Sequence, residues 1–310
     1  MKKIYAAYKI RKTVSVIGVF DGVHRGHQKI LKKAAAVSCR TGMKSLAITF
    51  HPHPREVLNP VLKIPLLTST THKHSLIGKT GIDLLLDLRF TKSLAMMRAE
   101  DFVRKILVDR LGIRALVVGK NFLFGYKGEG DFKLLKAMAK KYGFRLFGVE
   151  PLRVKGVQIS STTIRRAIEK GDLKTASLML GRPVSVLGTV VKGRRVGRRL
   201  GFPTANINPH HEAIPPSGVY AVNARMRGKK YTAILNIGTR PTFNIKREPT
   251  IELYIFKFNK NIYNKDVEII FKRKLRDEKK FSSVEALKTQ IKKDISRLAD
   301  HTILSAPAST

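Results

Sequence analysis

Apolar positions along this chain begin in two alternating rhythms. Val14 to Phe20 is an apolar-rich run, and from Gln28 to Thr41 a helical spacing follows at Ile30, Leu31, Ala34, Ala35 and Val37, ending at Gly42. The first predicts a buried strand and the second an amphipathic helix with a glycine stop. The alternation then repeats. Ser45 to Phe50 is a second apolar run, broken by His51-Pro52-His53-Pro54 because proline offers no N–H for further pairing. Asp83 to Leu88 reads as a strand. Ala99 to Leu111 reads as a helix, with Glu100 and Asp101 in its first turn and Gly112 at its end. Ala115 to Gly119 is a strand, Phe132 to Tyr142 a helix and Arg145 to Val149 a strand. Strands alternating with helices predict a parallel sheet that receives ligands at the carboxyl ends of its strands.

The rhythm then changes. Thr162 to Lys170 and Leu173 to Leu180 are helical, closed by Gly181-Arg182-Pro183. From Val184 onward short strands dominate: Val184 to Val191, Gly218 to Ala224, Tyr231 to Ile237, Thr250 to Phe258 and Val267 to Lys274, with a helix over Ser283 to Leu298. Several short strands and one terminal helix predict a small closed or half-closed barrel. The expected organisation is an α/β domain over 1–183, a β-barrel domain over 184–301 and a frayed tail over 302–310.

Composition narrows the class. At 310 residues and 43% hydrophobic content, the chain can fill two cores. No apolar run reaches membrane-spanning length, and the Met-Lys-Lys start lacks the apolar block of a signal peptide. Cys39 is the single cysteine, which fits a reducing cytoplasm. The net charge is +39, from 61 basic and 22 acidic residues. Such a field draws in nucleotides and other polyanions. The basic residues are spread along the whole chain and aromatics make up only 7% of it. A general basic surface is therefore expected, not a dedicated nucleic-acid partner.

Candidate chemistry gathers at the predicted loop ends. Val19-Phe20-Asp21-Gly22-Val23-His24-Arg25-Gly26-His27 leaves a strand and enters a helix, the place where an α/β protein receives phosphate. His24 and His27 can hydrogen-bond a polyphosphate, and Gly22 and Gly26 let backbone approach it. His51-Pro52 and Asn121-Phe122 each follow another strand. Ile159-Ser160-Ser161-Thr162-Thr163-Ile164-Arg165 offers hydroxyls at a helix start and an arginine one turn in. In the second half, Gly193 to Asn206 is rich in glycine and arginine, with Gly193, Gly197, Gly201 and Pro203 along it. Thr204 and Asn206 supply oxygen ligands suited to Mg²⁺. Glu252 is the lone carboxylate in its strand; sharing a face with Tyr254 and Phe256, it is expected inside the barrel.

Phe20 to Gln28, Asn121 to Gly125 and Ile159 to Arg165 resemble the adenylyltransferase half of the prokaryotic bifunctional riboflavin kinase/FMN adenylyltransferases, the FAD synthetases. Pro203-Thr204-Ala205-Asn206, Gly218-Val219-Tyr220 and Asn236 to Thr242 extend the likeness into the riboflavin kinase half. The resemblance implies a Rossmann-like nucleotidyltransferase domain and a riboflavin-kinase-like barrel. Riboflavin, ATP, FMN and FAD are then the ligands and Mg²⁺ the metal, in a cytoplasmic monomer or weak oligomer with no membrane partner. It implies a base role for Glu252 and phosphate roles for His24 and His27. Gly22, Gly26, Ser160, Ser161, Thr162 and Arg165, with Gly193, Gly197, Gly201 and Pro203, become the ATP set. His51, Pro52, Asn121, Phe122 and Arg276 become flavin contacts, and Thr204 and Asn206 metal ligands. The chain departs from the family pattern at Lys257 to Asn264, at Asp277, at Leu123 and at His51. Other classes considered are a chain keeping one of the two activities, a nucleotidyltransferase for another phosphorylated substrate, and a basic nucleic-acid-binding protein.

Overall fold

The computed structural model describes residues 1–4, 12–61, 65–193, 201–239, 249–279 and 281–303. The chain divides into two compact units. One comprises Met1–Arg165 and Leu178–Gly181, the other Arg166–Ser177 and Arg182–Thr310.

The first unit is built on six parallel strands: β1 (Lys2–Ile4), β2 (Thr13–Ile17), β3 (Lys44–His51), β4 (Leu84–Arg89), β5 (Ala115–Gly119) and β6 (Arg145–Val149). Their order is β1-β4-β3-β2-β5-β6. Both faces of such a sheet must be covered, and strand alternation decides what goes where. Val14, Val16, Ala115 and Val117 face helix α1 (Arg25–Thr41) through Leu31, Ala34 and Val37. Ile48, Phe50, Leu116 and Val118 face the opposite layer. That layer holds helix α5, which runs as Ala99–Asp101 and continues as a π-helix over Phe102–Arg110, and helix α6 (Phe132–Tyr142).

Three short helices, α2 (Pro54–Leu58), α3 (Thr70–Gly78) and α4 (Lys92–Ala95), were not foreseen from the sequence. In α3 the reason is plain. Its buried positions are His72, Lys73, Leu76 and Ile77, so two polar residues sit where an apolar signal was needed. The strand β1 and the hairpin of β7 (Arg153–Val154) and β8 (Val157–Gln158) are too short to show a period. Helices α7 (Ser161–Glu169) and α8 (Leu173–Leu180) lie where the spacing predicts them.

The second unit is a closed antiparallel barrel. Its strands are β9 (Ser185–Val191), β10 (Ala205–Asn208), β11 (Gly218–Met226), β12 (Lys229–Thr239), β13 (Pro249–Ile255) and β14 (Asp266–Arg276), in the order β10-β13-β12-β11-β14-β9. Pairing of β9 with β10 closes it, which leaves no free edge. The β11–β12 hairpin turns through Arg227 and Gly228, both at positive φ, as a tight two-residue turn requires. Helix α9 (Val284–Ile303) places Ile295 against Val219, Ala221 and Ile234 on the outside of the barrel. The helix runs to Ile303, so the tail expected from 302 begins inside its last turn. Residues 304–310 lie outside the described residues.

Candidate functional site

In the parallel sheet, β3 and β4 lie on one side of β2 and β5 on the other. The strand order reverses at β2, so a crevice opens at the carboxyl ends of β2 and β5. The histidine loop leaves β2 there, and the Asn121 loop leaves β5 there. The two predicted segments thus meet because of topology, although about 100 residues separate them in the chain.

Within the loop, His24 is the N-cap of α1, and its Nδ1 accepts a hydrogen bond from the His27 backbone N–H at 3.3 Å. His24 therefore carries its ring proton on Nε2. The two imidazoles stack at 3.6 Å between centroids, and Phe20 meets His27 edge-on at 5.3 Å. Burial, reinforced by the neighbouring His24, drives the His27 pKa well below the usual histidine range. A neutral imidazole is thus presented at the positive end of a helix. Gly26 leaves room here, since a Cβ would lie 3.1 Å from the His24 ring and the ring would have to give by a few tenths of an ångström.

The loop is held from below by Asp21, a residue to which the sequence alone assigns no role. Its carboxylate accepts from the N–H groups of Leu67 and Thr68 at 2.8 and 3.2 Å and pairs with Arg165 at 3.0 Å. Its backbone carbonyl accepts from Ser161 Oγ at 3.0 Å. Burial raises the Asp21 pKa, while Arg165, the two amides and Lys73 pull it back down. Gly22 at φ +80° donates its N–H to Thr68 Oγ1, and a Cβ on it would sit 2.7 Å from Leu67. Arg165 was expected on phosphate. It is buried and spent on Asp21 and on the Pro65 carbonyl at 2.6 Å, because an unpaired buried Asp21 would be costlier. Ser160 is engaged as well, accepting from the Thr163 N–H at 3.1 Å as the cap of α7. Thr162 stands half-buried in the first turn.

Around the crevice, His51 ends β3 and its Nδ1 meets Thr70 Oγ1 at 3.1 Å. Pro52 follows through a cis peptide bond. Lys73, buried, donates to the Phe50 carbonyl at 3.0 Å. Burial lowers its pKa against the pull of Asp87, Asp21 and Glu56. Burial pushes His53 down to about 4, helped by Lys73, Arg55 and Arg165. Asn121 is exposed beside the end of β5, and Phe122 stacks on Phe124 at 5.6 Å, against the core.

On the barrel, β10 and β13 pair so that Asn206 lies directly opposite Glu252. Directly paired residues share one face of a sheet. That face is the outer one, which corrects the expectation that Glu252 points inward. Ile251, Leu253 and Ile255 take the interior, leaving Glu252 and Tyr254 half-buried outside. The aliphatic alternation won the interior, and Tyr254 packs outside against Phe202 and Phe256. Gly193 lies against Asn206: a Cβ there would fall 1.9 Å from Nδ2. Gly201 adopts φ +85° with open space around it, and exposed Pro203 leads to half-buried Thr204. A cleft of about 340 Å³ is lined by Pro203, Thr204, Leu253, Ile255, Phe258 and Tyr263, among others. The donor set of Thr204, Asn206 and Glu252 is all hard oxygen, the chemistry Mg²⁺ prefers. Gly197 and the loop arginines lie outside the described residues.

Arg276 does not reach this cleft's lining. Its guanidinium grips Asp294 of α9 at 2.8 to 3.2 Å and donates to the Asp277 carbonyl at 3.1 Å. The residue expected as a flavin contact thus forms a clip between β14 and the terminal helix. Asp294 is 2% exposed and would otherwise be an unpaired buried charge.

Comparison with known proteins matches both halves. The FAD synthetase family model covers residues 7–163, and the riboflavin kinase model covers 180–302. The chain is 37% identical to the bifunctional riboflavin kinase/FMN adenylyltransferase of Buchnera aphidicola subsp. Schizaphis graminum, over 95% of this chain and 97% of that protein. The protein of the same description from Pseudomonas fluorescens is 36% identical, over 96% and 95%. That of Escherichia coli K12 is 35% identical, over 91% and 90%. A crystal structure described as a macrolide-efflux protein from Streptococcus pneumoniae matches at a TM-score of 0.83 and 28% identity, over 95% of this chain and 97% of that one. Among the described residues of the present chain no helix is long and apolar enough to cross a membrane.

Proposed function

The chain belongs to the bifunctional riboflavin kinase/FMN adenylyltransferase family, and from that premise we propose how its residues divide the two reactions. Residues 184–301 phosphorylate riboflavin to FMN with ATP. Residues 1–183 transfer the adenylyl group of a second ATP to FMN, giving FAD and pyrophosphate. The observation that supports this reading is the presence in one chain of two separate polar arrangements suited to phosphate. One is the stacked histidine pair at the switch point of a parallel sheet; the other is the Asn206–Glu252 pair on a closed barrel.

In the kinase half, Gly193, Gly197 and Gly201 let backbone approach the phosphates of ATP. The apolar cleft beside Pro203 and Thr204 takes its flat base. Thr204 and Asn206 would hold Mg²⁺, which when bound neutralises charge on the phosphate oxygens. Glu252 removes the proton of the ribityl hydroxyl as that oxygen attacks the terminal phosphorus.

In the adenylyltransferase half, His24 and His27 donate to the phosphates of ATP as charge shifts toward the leaving pyrophosphate. Gly22, Gly26 and Thr162 complete the contact, with Ser161 and Arg165 holding the two loops together through Asp21 and Ser160 capping α7. His51, Pro52, Asn121 and Phe122 lie on the flavin side. Neither reaction needs a covalent enzyme intermediate, so positioning and charge stabilisation supply the catalysis. Cytoplasmic residence as a monomer or weak oligomer, with no dedicated nucleic-acid partner, completes the proposal.

The test is a chromatographic assay with riboflavin, ATP and Mg²⁺, repeated from FMN. Wild-type protein is expected to yield FMN and then FAD. Glu252→Gln should make no FMN yet convert added FMN to FAD. The double variant His24→Ala/His27→Ala should accumulate FMN and stop. Unchanged FMN formation in the first, or unchanged FAD formation in the second, overturns the corresponding assignment.

A further inference from the structure

Glu252 has a second polar partner across the sheet. On one side it pairs with Asn206 of β10, and on the other with Asn236 of β12. The three residues form one row across three neighbouring strands, and all three are half-buried. The positions flanking them alternate into the interior: Ile207, Ile251, Leu253, Leu235 and Ile237 are buried. Cβ atoms of such directly opposed residues stand about 4.5–5.5 Å apart, within reach of an amide and a carboxylate.

The two amides differ in their surroundings. Asn206 packs on Gly193 and is read above as a metal ligand. Asn236 lies on an 11-residue strand paired on both sides, opposite Val219 of β11 and Glu252 of β13. It is therefore a polar group fixed by rigid backbone beside the carboxylate, with no role in the reading so far. A carboxylate that takes a proton must aim one oxygen at the hydroxyl and needs its other oxygen held. An amide N–H₂ supplies such a donor without adding charge.

We propose that Asn236 is a positioning residue for Glu252 in riboflavin phosphorylation, donating from Nδ2 to the carboxylate oxygen that does not face the ribityl hydroxyl. The inference rests on the kinase reading of Glu252. Other ionisable groups on this face, among the described residues, include Tyr254 on β13, Arg276 on β14, which pairs with Val219 in the same row, its partner Asp294 on α9, and Glu278. The Glu278 Oε1 would lie 2.5 Å from a Cβ on Gly238, the β12 residue two places beyond Asn236. Asn206 and Asn236 themselves do not titrate.

The experiment uses the full chain, with adenylylation of added FMN checking that the first half is intact and a thermal melt checking that the barrel folds. Asn236→Ala should lower kcat for riboflavin phosphorylation by about tenfold to a hundredfold, the cost of a misplaced catalytic group. ATP KM and FMN adenylylation should stay within about twofold of wild type, well inside that cost. Asn236→Asp preserves shape but removes the Nδ2 donor and sets a like charge opposite Glu252, so it should lower kcat at least as far as Asn236→Ala does, with ATP KM again unmoved. A folded Asn236→Ala with wild-type kcat overturns the proposal, as does a folded Asn236→Asp with wild-type kcat. Glu252→Gln is measured alongside. If it keeps kinase activity, the base assignment itself has failed, independently of Asn236.

Discussion

Single residues in this protein are fixed by what lies one atom away. Gly193 shows this most sharply, since any side chain there would occupy the space of the Asn206 amide. Gly193→Ala should reduce riboflavin phosphorylation about tenfold or more by displacing Asn206, while FAD synthesis from added FMN persists. Parallel initial-rate assays of the two reactions check this. The buried histidines carry a pH signature. His27 and His53 both have folded pKa values below the usual 6.5, His53 at about 4, because burial disfavours the charged ring. The unfolded chain therefore binds more protons below pH 6.5. The stabilisation from keeping these rings neutral is present above about 6.5 and is lost as pH falls toward about 4. Denaturation midpoints measured from pH 7.5 to 4.5 should fall over that window. The fall should be shallower in the double variant His27→Asn/His53→Asn.

At the scale of elements, the first candidate site is assembled by one buried ion pair. Asp21 ties the β2–α1 loop to the 65–68 segment and, through Arg165 and Ser161, to the start of α7. Removing one partner strands the other charge in the interior, at a cost of about 3–5 kcal/mol. Asp21→Ala should therefore lower the thermal stability of the first unit and suppress FAD formation more than FMN formation. Asp21→Asn, which keeps an acceptor for the Leu67 and Thr68 amides, should suppress both effects in part. Differential scanning calorimetry with the two activity assays reads this out. The Arg276–Asp294 clip does the same service in the second unit, tying β14 to α9. Both arginines resembled ligand contacts in the sequence, and both turn to buried aspartates in the fold. An arginine's partner is set by whichever carboxylate would otherwise be buried alone, and the chain does not print that near the arginine.

For the whole molecule, the sequence by itself determined the two architectures and the location of their chemistry. The switch from strand–helix alternation to closely spaced strands follows from side-chain periods of 2 and 3.6, which are local properties. The histidine loop, the Ser160–Arg165 segment and the Pro203–Asn206 signature were legible for the same reason, because each needs its residue types at fixed short spacing. What only the tertiary structure decided is every relation between distant segments. The reversal of strand order at β2 brings the His24 and Asn121 loops to one crevice. Asp21 emerges as the hub beneath them. Glu252 lies outside the barrel, in a row with Asn206 and Asn236. Helix α3 stayed hidden because His72 and Lys73 occupy its buried face, with Lys73 donating to the Phe50 carbonyl on β3. A strand's alternation says which residues share a face. Which face becomes the interior depends on the strands beside it, and that information exists only once the barrel has closed.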